Sequence, residues 1–158
     1  MIRTVVMGVI LLLLQIFKSG SLSFGVIIPN FLIAYAIFLG WEIEERWAYL
    51  LIFLTGLGYD LMMPQTLGMN VILLLVICWV TMLFHNSVLE QKFSIMLLLS
   101  LISNIIYYFF FGIYYLVQKP DFLTFLGSFF LSTGYNCLIS LILFYLLMLI
   151  YKLRINYR

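Results

Sequence analysis

The sequence predicts an all-α integral membrane protein folded as a bundle of six transmembrane helices. Of its 158 residues, 66% are hydrophobic and only 9% are charged, whereas soluble domains are roughly half apolar and a quarter charged. The mean hydropathy is accordingly high, at +1.20. Apolar runs approaching the ~20 residues that cross a hydrocarbon core of ~30 Å occur six times, separated by short polar breaks. We therefore expect one polytopic membrane domain over residues 1–158, without a soluble domain.

The predicted spans are residues 5–17, 22–41, 47–63, 67–84, 93–117 and 122–151. The first resembles the start of a secretory signal peptide, but "QIFKSGSLSF" lacks a small-residue cleavage site, so we expect a retained span. The second contains Pro29 and Asn30. Because proline favours the first turn of a helix, a shorter helix starting at this pair is the alternative to a full span. The sixth is long enough to tilt or to begin in the interface.

The distribution of Lys and Arg between alternate connections predicts the orientation. With a cytoplasmic N-terminus, six basic residues lie on the cytoplasmic side and two on the other. Cytoplasmic connections of membrane proteins carry the excess of Lys and Arg, so both termini are expected in the cytoplasm. The net charge is only +2 and there is no long basic run, so we expect no nucleic-acid partner.

The segment "GLGYDLMMPQTLGMN", residues 56–70, places one carboxylate near the end of the third span. An ionisable residue inside a membrane helix is, by default, a candidate functional residue. In the predicted orientation, however, Asp60 lies near the outer end of its helix. Pro64 stops that helix and Gly68 permits a tight reversal of the backbone. Asp60 is then placed to accept hydrogen bonds from amides at the start of the fourth helix, or from Asn70. We interpret these four residues as a hairpin clasp.

Small and amide-bearing residues form stripes along the last two predicted helices. Membrane helices associate through close packing and interhelical hydrogen bonds, so such residues mark the protein-facing side. The candidates for packing or for a pocket lining are Gly56, Ser100, Asn104, Ser128, Ser132, Asn136 and Ser140. The last four recur at steps of four residues and share one helix face. We expect Asn104 and Asn136 to meet, either as an adhesive contact or as the wall of a polar cavity.

No catalytic, cofactor-binding or metal site is predicted, and we do not expect an enzyme. Asp121 is the only other aspartate and lies at a connection, so no pair of membrane aspartates can share a proton. His85 is the single histidine and is expected at a solvated edge. Cys78 and Cys137 fall in apolar runs, where cysteine behaves as a small hydrophobe. The acidic run at residues 42–45 is expected to be a solvated cytoplasmic loop.

The chain resembles the bacterial rod shape-determining MreD family. In length and in the arrangement of helices, the resemblance covers the whole chain. The matching amino acids are concentrated between Pro29 and about Leu75. Its matching residues are Pro29, Asn30, Gly56, Asp60, Leu67, Gly68 and Asn70. The turn departs from the family, which often has small polar residues and glycine where this chain has "LMMPQT".

This resemblance implies a non-enzymatic scaffold or regulator of cell elongation in the bacterial cytoplasmic membrane, without a cofactor. The implied partners are an MreC-like bitopic protein and, through it, a RodA-like polymerase and its transpeptidase, which build lateral-wall peptidoglycan. The aromatic segment Tyr107 to Tyr115 around Gly112 is one candidate contact face; contact with lipid is the alternative.

A second class of function stays open, because the MreD family is similar in build to the S components of energy-coupling-factor vitamin transporters. In that case Asp60, Asn70, Asn104 and Asn136 would line a vitamin site. The first helix, "VVMGVILLLLQIF", argues against it. S components commonly present small, alanine-rich motifs there for docking to their energising subunit.

Overall fold

A computed structural model describes residues 2–18, 28–62, 68–87, 93–118 and 121–152 of the chain. Within these ranges the fold is all-helical, with six helices. They are α1 (Ile2–Lys18), α2 (Phe31–Glu42), α3 (Glu45–Met62), α4 (Met69–Ser87), α5 (Phe93–Gln118) and α6 (Phe122–Lys152). Their order and approximate bounds match the six apolar runs of the sequence. Pro64 and Leu67 lie outside the described residues.

The start of α2 departs most from the predicted spans. The helix begins at Phe31, whereas the predicted span begins at residue 22, and residues 22–27 lie outside the described part of the chain. Asn30 is the N-cap, because its side chain accepts a hydrogen bond from the Leu32 N–H at 3.1 Å. The structure therefore contains the shorter of the two alternatives. Its 12 residues extend ~18 Å, less than a hydrocarbon core of ~30 Å.

α2 forms the centre of the molecule. Every residue from Phe31 to Trp41 is buried. The other five helices all contact it. A helix that is apolar on every side is stable only when other elements surround it. This explains why α2 lacks the polar face of an ordinary surface helix.

Three helices are long and apolar enough to cross a membrane: α4, α5 and α6. α1 and α2 are apolar but shorter, and α3 carries Glu45, Arg46 and Asp60 among its 18 residues. The described helices also expose many large aliphatic and aromatic side chains. These features are those of a membrane protein.

Close approach between helices depends on glycine at two contacts. A Cβ on Gly56 of α3 would lie 2.9 Å from the Val71 Cα of α4, and one on Gly40 of α2 would lie 2.7 Å from the Cys78 carbonyl oxygen. Only a residue without a side chain lets the backbones come so near, as is common in membrane helix pairs. α4 is thereby held tightly against both α2 and α3.

Candidate functional site: a polar layer at the Asp60 end

Asp60 lies at the end of α3 and is completely buried. Its Oδ2 accepts hydrogen bonds from the backbone N–H groups of Gly68 at 3.0 Å and Val71 at 3.1 Å. Its Oδ1 accepts from the Asn70 backbone N–H at 3.3 Å and from the Asn70 side-chain amide at 2.7 Å. The carboxylate therefore caps the start of α4, where unpaired N–H groups and the helix dipole favour a negative charge. These are the contacts expected of the hairpin clasp.

Gly68 has the backbone conformation that the reversal requires. Its φ is +87°, and it is the only described residue with a positive φ. L-amino acids with side chains rarely adopt this conformation, whereas glycine does so at little cost. Gly68 thus turns the chain so that its own N–H and those of Asn70 and Val71 converge on Asp60.

Asn70 extends the contact from Asp60 towards α5 and α2. Its amide nitrogen donates to Asp60, while its Oδ1 accepts a hydrogen bond from the Tyr107 hydroxyl of α5. The side chain of Asn30, the N-cap of α2, lies close to Tyr107. Both Asn70 and Tyr107 are buried, so this chain of polar groups runs through the interior.

Two further side chains stabilise the start of α2. Gln15 of α1 accepts a hydrogen bond from the Phe31 N–H at 2.7 Å and donates to the Pro29 carbonyl at 3.0 Å. Asn136 of α6 accepts from the Asn30 N–H at 2.6 Å and donates to the Ile28 carbonyl at 3.2 Å. In an apolar interior, each unpaired backbone group would cost about 1–3 kcal/mol. These amides remove that cost where the chain enters α2.

Together these contacts form a polar layer to which every helix contributes one side chain. We define the polar layer as Gln15, Asn30, Asp60, Asn70, Tyr107 and Asn136. All six side chains are at most 5% exposed. The layer lies at one end of the helix assembly, which we call the Asp60 end. Its groups mainly bind one another or the backbone, an arrangement that joins helices.

The predicted stripes of α5 and α6 divide into two parts. In the deeper part, the Ser100 hydroxyl donates to the Cys137 carbonyl at 3.0 Å, and the Asn104 amide donates to Ser140 at 3.2 Å. The expected pairing of Asn104 with Asn136 is wrong, since Asn136 turns towards α2. Nearer the Asp60 end, Ser128 and Ser132 line a cavity.

This cavity, the α5–α6 cleft, has a volume of about 260 Å³. Its lining combines aromatic rings with hydroxyl groups: Ile28, Tyr108, Phe111, Gly112, Thr124, Phe125, Ser128, Phe129 and Ser132. The Phe125 ring lies directly against Gly112. Gly112 therefore packs against α6 and is only partly exposed, and Tyr107 is buried. The exposed residues of that aromatic segment include Phe109, Phe110 and Ile113.

The opposite end, which we call the Glu42 end, is charged. Lys152 of α6 approaches Glu42 at 3.9 Å, and the His85 ring packs edge-on against Trp41 with centroids 4.9 Å apart. A cavity of about 290 Å³ lies beside these residues. Glu44 and Glu45 are exposed, but Glu42 ends α2 and Glu45 begins α3, so the loop predicted over residues 42–45 is confined to residues 43–44. Within the described part of the chain, no group of three or more His, Cys, Asp or Glu residues is placed to hold a metal ion.

Asp121, at the start of α6, differs from Asp60 by being exposed. It accepts hydrogen bonds from the Thr124 hydroxyl at 2.6 Å and the Thr124 N–H at 3.3 Å. These bonds, the hydroxyl's first, lower the pKa of Asp121 from its usual value. Asp121 is thus an ordinary N-cap, and it starts α6 where that helix was predicted to start.

Gln15 is the residue of the polar layer that sequence reasoning missed. It is an isolated polar residue in the apolar run of α1, and such residues often bond across helices in membrane proteins. Tyr35 was missed as well; its hydroxyl donates to the Thr4 carbonyl at 2.7 Å and ties α2 to α1.

No family model, no curated protein and no solved structure matches this chain.

Proposed function

We propose that the protein is a six-span scaffold of the bacterial cytoplasmic membrane that works in cell elongation, in the manner of the MreD family. Both termini would lie in the cytoplasm, and the Asp60 end would face outward. The partners would be an MreC-like bitopic protein and, with it, a RodA-like polymerase and its transpeptidase. The protein itself would carry out no chemistry.

One observation carries this proposal. Residues on which the resemblance rests lie together at the Asp60 end, including Asn30, which precedes the segment 56–70 in the sequence. Asp60 binds Gly68 and Asn70, Gly56 lets α3 and α4 approach, and Asn30 starts α2 in the same layer. The joint role of these residues in one structural unit supports the proposal.

The chemistry of the layer also favours a scaffold. The Asp60 carboxylate accepts four hydrogen bonds and is fully buried. A catalytic or ligand-binding carboxylate must reach its substrate, whereas a carboxylate that joins two helices needs only these bonds. Binding to another protein would then use the exposed apolar helix faces. Those faces suit a transmembrane helix of a bitopic partner, and the exposed stripe Phe109, Phe110 and Ile113 of α5 is one of them.

The S-component alternative receives less support from the same contacts. Asp60, Asn70, Asn104 and Asn136 are each at most 2% exposed and bonded to protein groups. None of them lines the α5–α6 cleft or the cavity at the Glu42 end.

Co-purification tests the proposal. The tagged chain is expressed in a rod-shaped bacterium and extracted in mild detergent. An unrelated multi-helix membrane protein with the same tag serves as the control. We expect enrichment of a bitopic protein with a large outer domain. Recovery of a nucleotide-hydrolysing module, or of a tightly held vitamin, would replace the scaffold with the transporter function.

A further inference from the structure

The α5–α6 cleft has the shape and chemistry of a binding site. We propose that it binds the acyl chain of a membrane lipid. The cleft is partly open and is bounded by the second half of α5, the first half of α6 and Ile28. This site is separate from the polar layer, and the proposal does not depend on the function proposed above.

The lining of the cleft selects for an apolar occupant. None of its lining residues carries a formal charge. Three of the four hydroxyl groups in the lining already donate within the protein, Thr124 to Asp121 at 2.6 Å, Ser128 to the Phe125 carbonyl at 2.9 Å and Tyr108 to the Ile28 carbonyl at 3.5 Å. Ser132 is the fourth. What remains is mainly aromatic wall, supplied by Phe111, Phe125 and Phe129. A polar metabolite entering here would lose its hydration without regaining equivalent hydrogen bonds.

The dimensions of the cleft fit a single flexible chain. Thr124 lies in the first turn of α6 and Ser132 eight residues further on, which is ~12 Å along the helix axis. A partner α-helix is about 10 Å wide with its side chains. It could not enter between α5 and α6, because the Phe125 ring already touches Gly112. A narrow hydrocarbon chain lying along α6 could.

The surroundings of the cleft determine what reaches it. Phe122, Leu123, Phe130 and Leu131 are between 62% and 82% exposed on the same part of α6. Exposed Asp121 marks the polar level at which the helix begins. In a bilayer, an apolar surface just below that level contacts lipid tails. Lipid that stays outside the cleft leaves the space beside the aromatic rings unfilled. An acyl chain that enters the cleft fills this space and gains van der Waals contacts with the rings.

Photochemical labelling tests this site in vesicles of equal parts phosphatidylethanolamine and phosphatidylglycerol. A trace of the phosphatidylethanolamine carries a diazirine in the middle of one acyl chain. After illumination, labelled peptides are mapped by mass spectrometry. We expect labelling of residues 108–112 and 124–132 to exceed that of the exposed face of α1 several-fold. Even labelling of all exposed faces would overturn the proposal.

A matched pair of variants distinguishes the cleft from general lipid contact. Ser128→Trp places a ring in the cleft and should reduce its labelling several-fold. Leu131→Trp adds the same ring on the exposed side of α6 and should leave labelling unchanged. If Ser128→Trp fails to fold, Ser132→Leu fills the cleft with a smaller group. Equal labelling of the filled and unfilled proteins would contradict the site.

A second measurement excludes a protein occupant. p-Benzoylphenylalanine in place of Phe129 is cross-linked in native membranes. A lipid adduct is the expected product. A protein adduct would show that the cleft receives a partner's side chain, and the lipid proposal would fail.

Discussion

The Asp60 end and the Glu42 end of this helix assembly are held together by different forces. At the Asp60 end, buried polar side chains from all six helices are hydrogen-bonded to one another or to backbone groups at the starts of α2 and α4. At the Glu42 end, Lys152 faces Glu42 at 3.9 Å, with about half of the Lys152 side chain exposed. The Glu42 side chain is only 14% exposed, but the long separation and the half-exposed lysine leave a weak pair that water and salt screen. The comparison indicates that the buried Asp60 carboxylate contributes more to stability than the ion pair at the Glu42 end.

The first prediction targets the strongest contact of the comparison. Asp60→Ala leaves the N–H groups of Gly68, Asn70 and Val71 without their acceptor, and should lower the free energy of unfolding by about 2–4 kcal/mol. Asp60→Asn retains an acceptor oxygen and should cost less, about 1–2 kcal/mol. Thermal unfolding in detergent and the amount of protein in membranes measure both.

The control is Glu44→Ala at the opposite end, where the carboxylate is exposed. This change should stay within about 0.5 kcal/mol of the parent protein. If Asp60→Ala were as harmless as Glu44→Ala, the hairpin clasp would be refuted.

The next effect concerns the helix contact beside Asp60. Gly56→Ala puts a Cβ 2.9 Å from the Val71 Cα, so α3 and α4 must separate. We expect a loss of about 1–3 kcal/mol. Gly127→Ala is the matched change, since a Cβ there meets nothing within 4 Å. It should be neutral or slightly stabilising through helix propensity. Similar melting temperatures for the two variants would argue against a tight α3–α4 contact.

A smaller loss is expected where α6 supports the start of α2. Asn136→Leu removes the acceptor of the Asn30 N–H and the donor to Ile28, and should cost about 1–2 kcal/mol. Asn86→Leu, an exposed asparagine at the Glu42 end, is the control and should change stability little. Hydrogen exchange at Asn30 and Phe31 gives a local readout, and should accelerate only in Asn136→Leu.

The smallest effect should follow from breaking the ion pair at the Glu42 end. Glu42→Gln removes the charge that faces Lys152, and should change stability by less than about 1 kcal/mol. The difference should shrink further at high salt, because ions screen exposed charges. Unfolding at two salt concentrations measures it. A large loss of stability that does not depend on salt would show that the Glu42 end contributes as much to stability as the Asp60 end.

The sequence was most informative where local chemistry decides the structure. Hydropathy located the six helices, and the residue types of the segment 56–70 predicted the Asp60 contacts with Gly68 and Asn70. These contacts join residues near one another in the chain, so helix geometry and turn chemistry suffice to place them.

It was least informative about how distant helices turn towards one another. Residue spacing shows on which face of its own helix Asn104 or Asn136 lies. It does not show how α5, α6 and α2 are rotated relative to one another. Asn136 instead meets the backbone before α2, and Asn104 meets Ser140. Gln15 was missed for the same reason: its partners, Pro29 and Phe31, are backbone groups that no side-chain pattern reveals.

A double-mutant cycle between Asp60 and Asn70 tests the central claim most directly. Unfolding free energies are measured for the parent, Asp60→Ala, Asn70→Ala and the double variant. Since the two side chains bond each other at 2.7 Å in a buried site, the cycle should give a favourable coupling of about 1 kcal/mol or more. Strictly additive losses, together with little loss in Asp60→Ala itself, would mean that the carboxylate does not hold the hairpin, and would contradict the account.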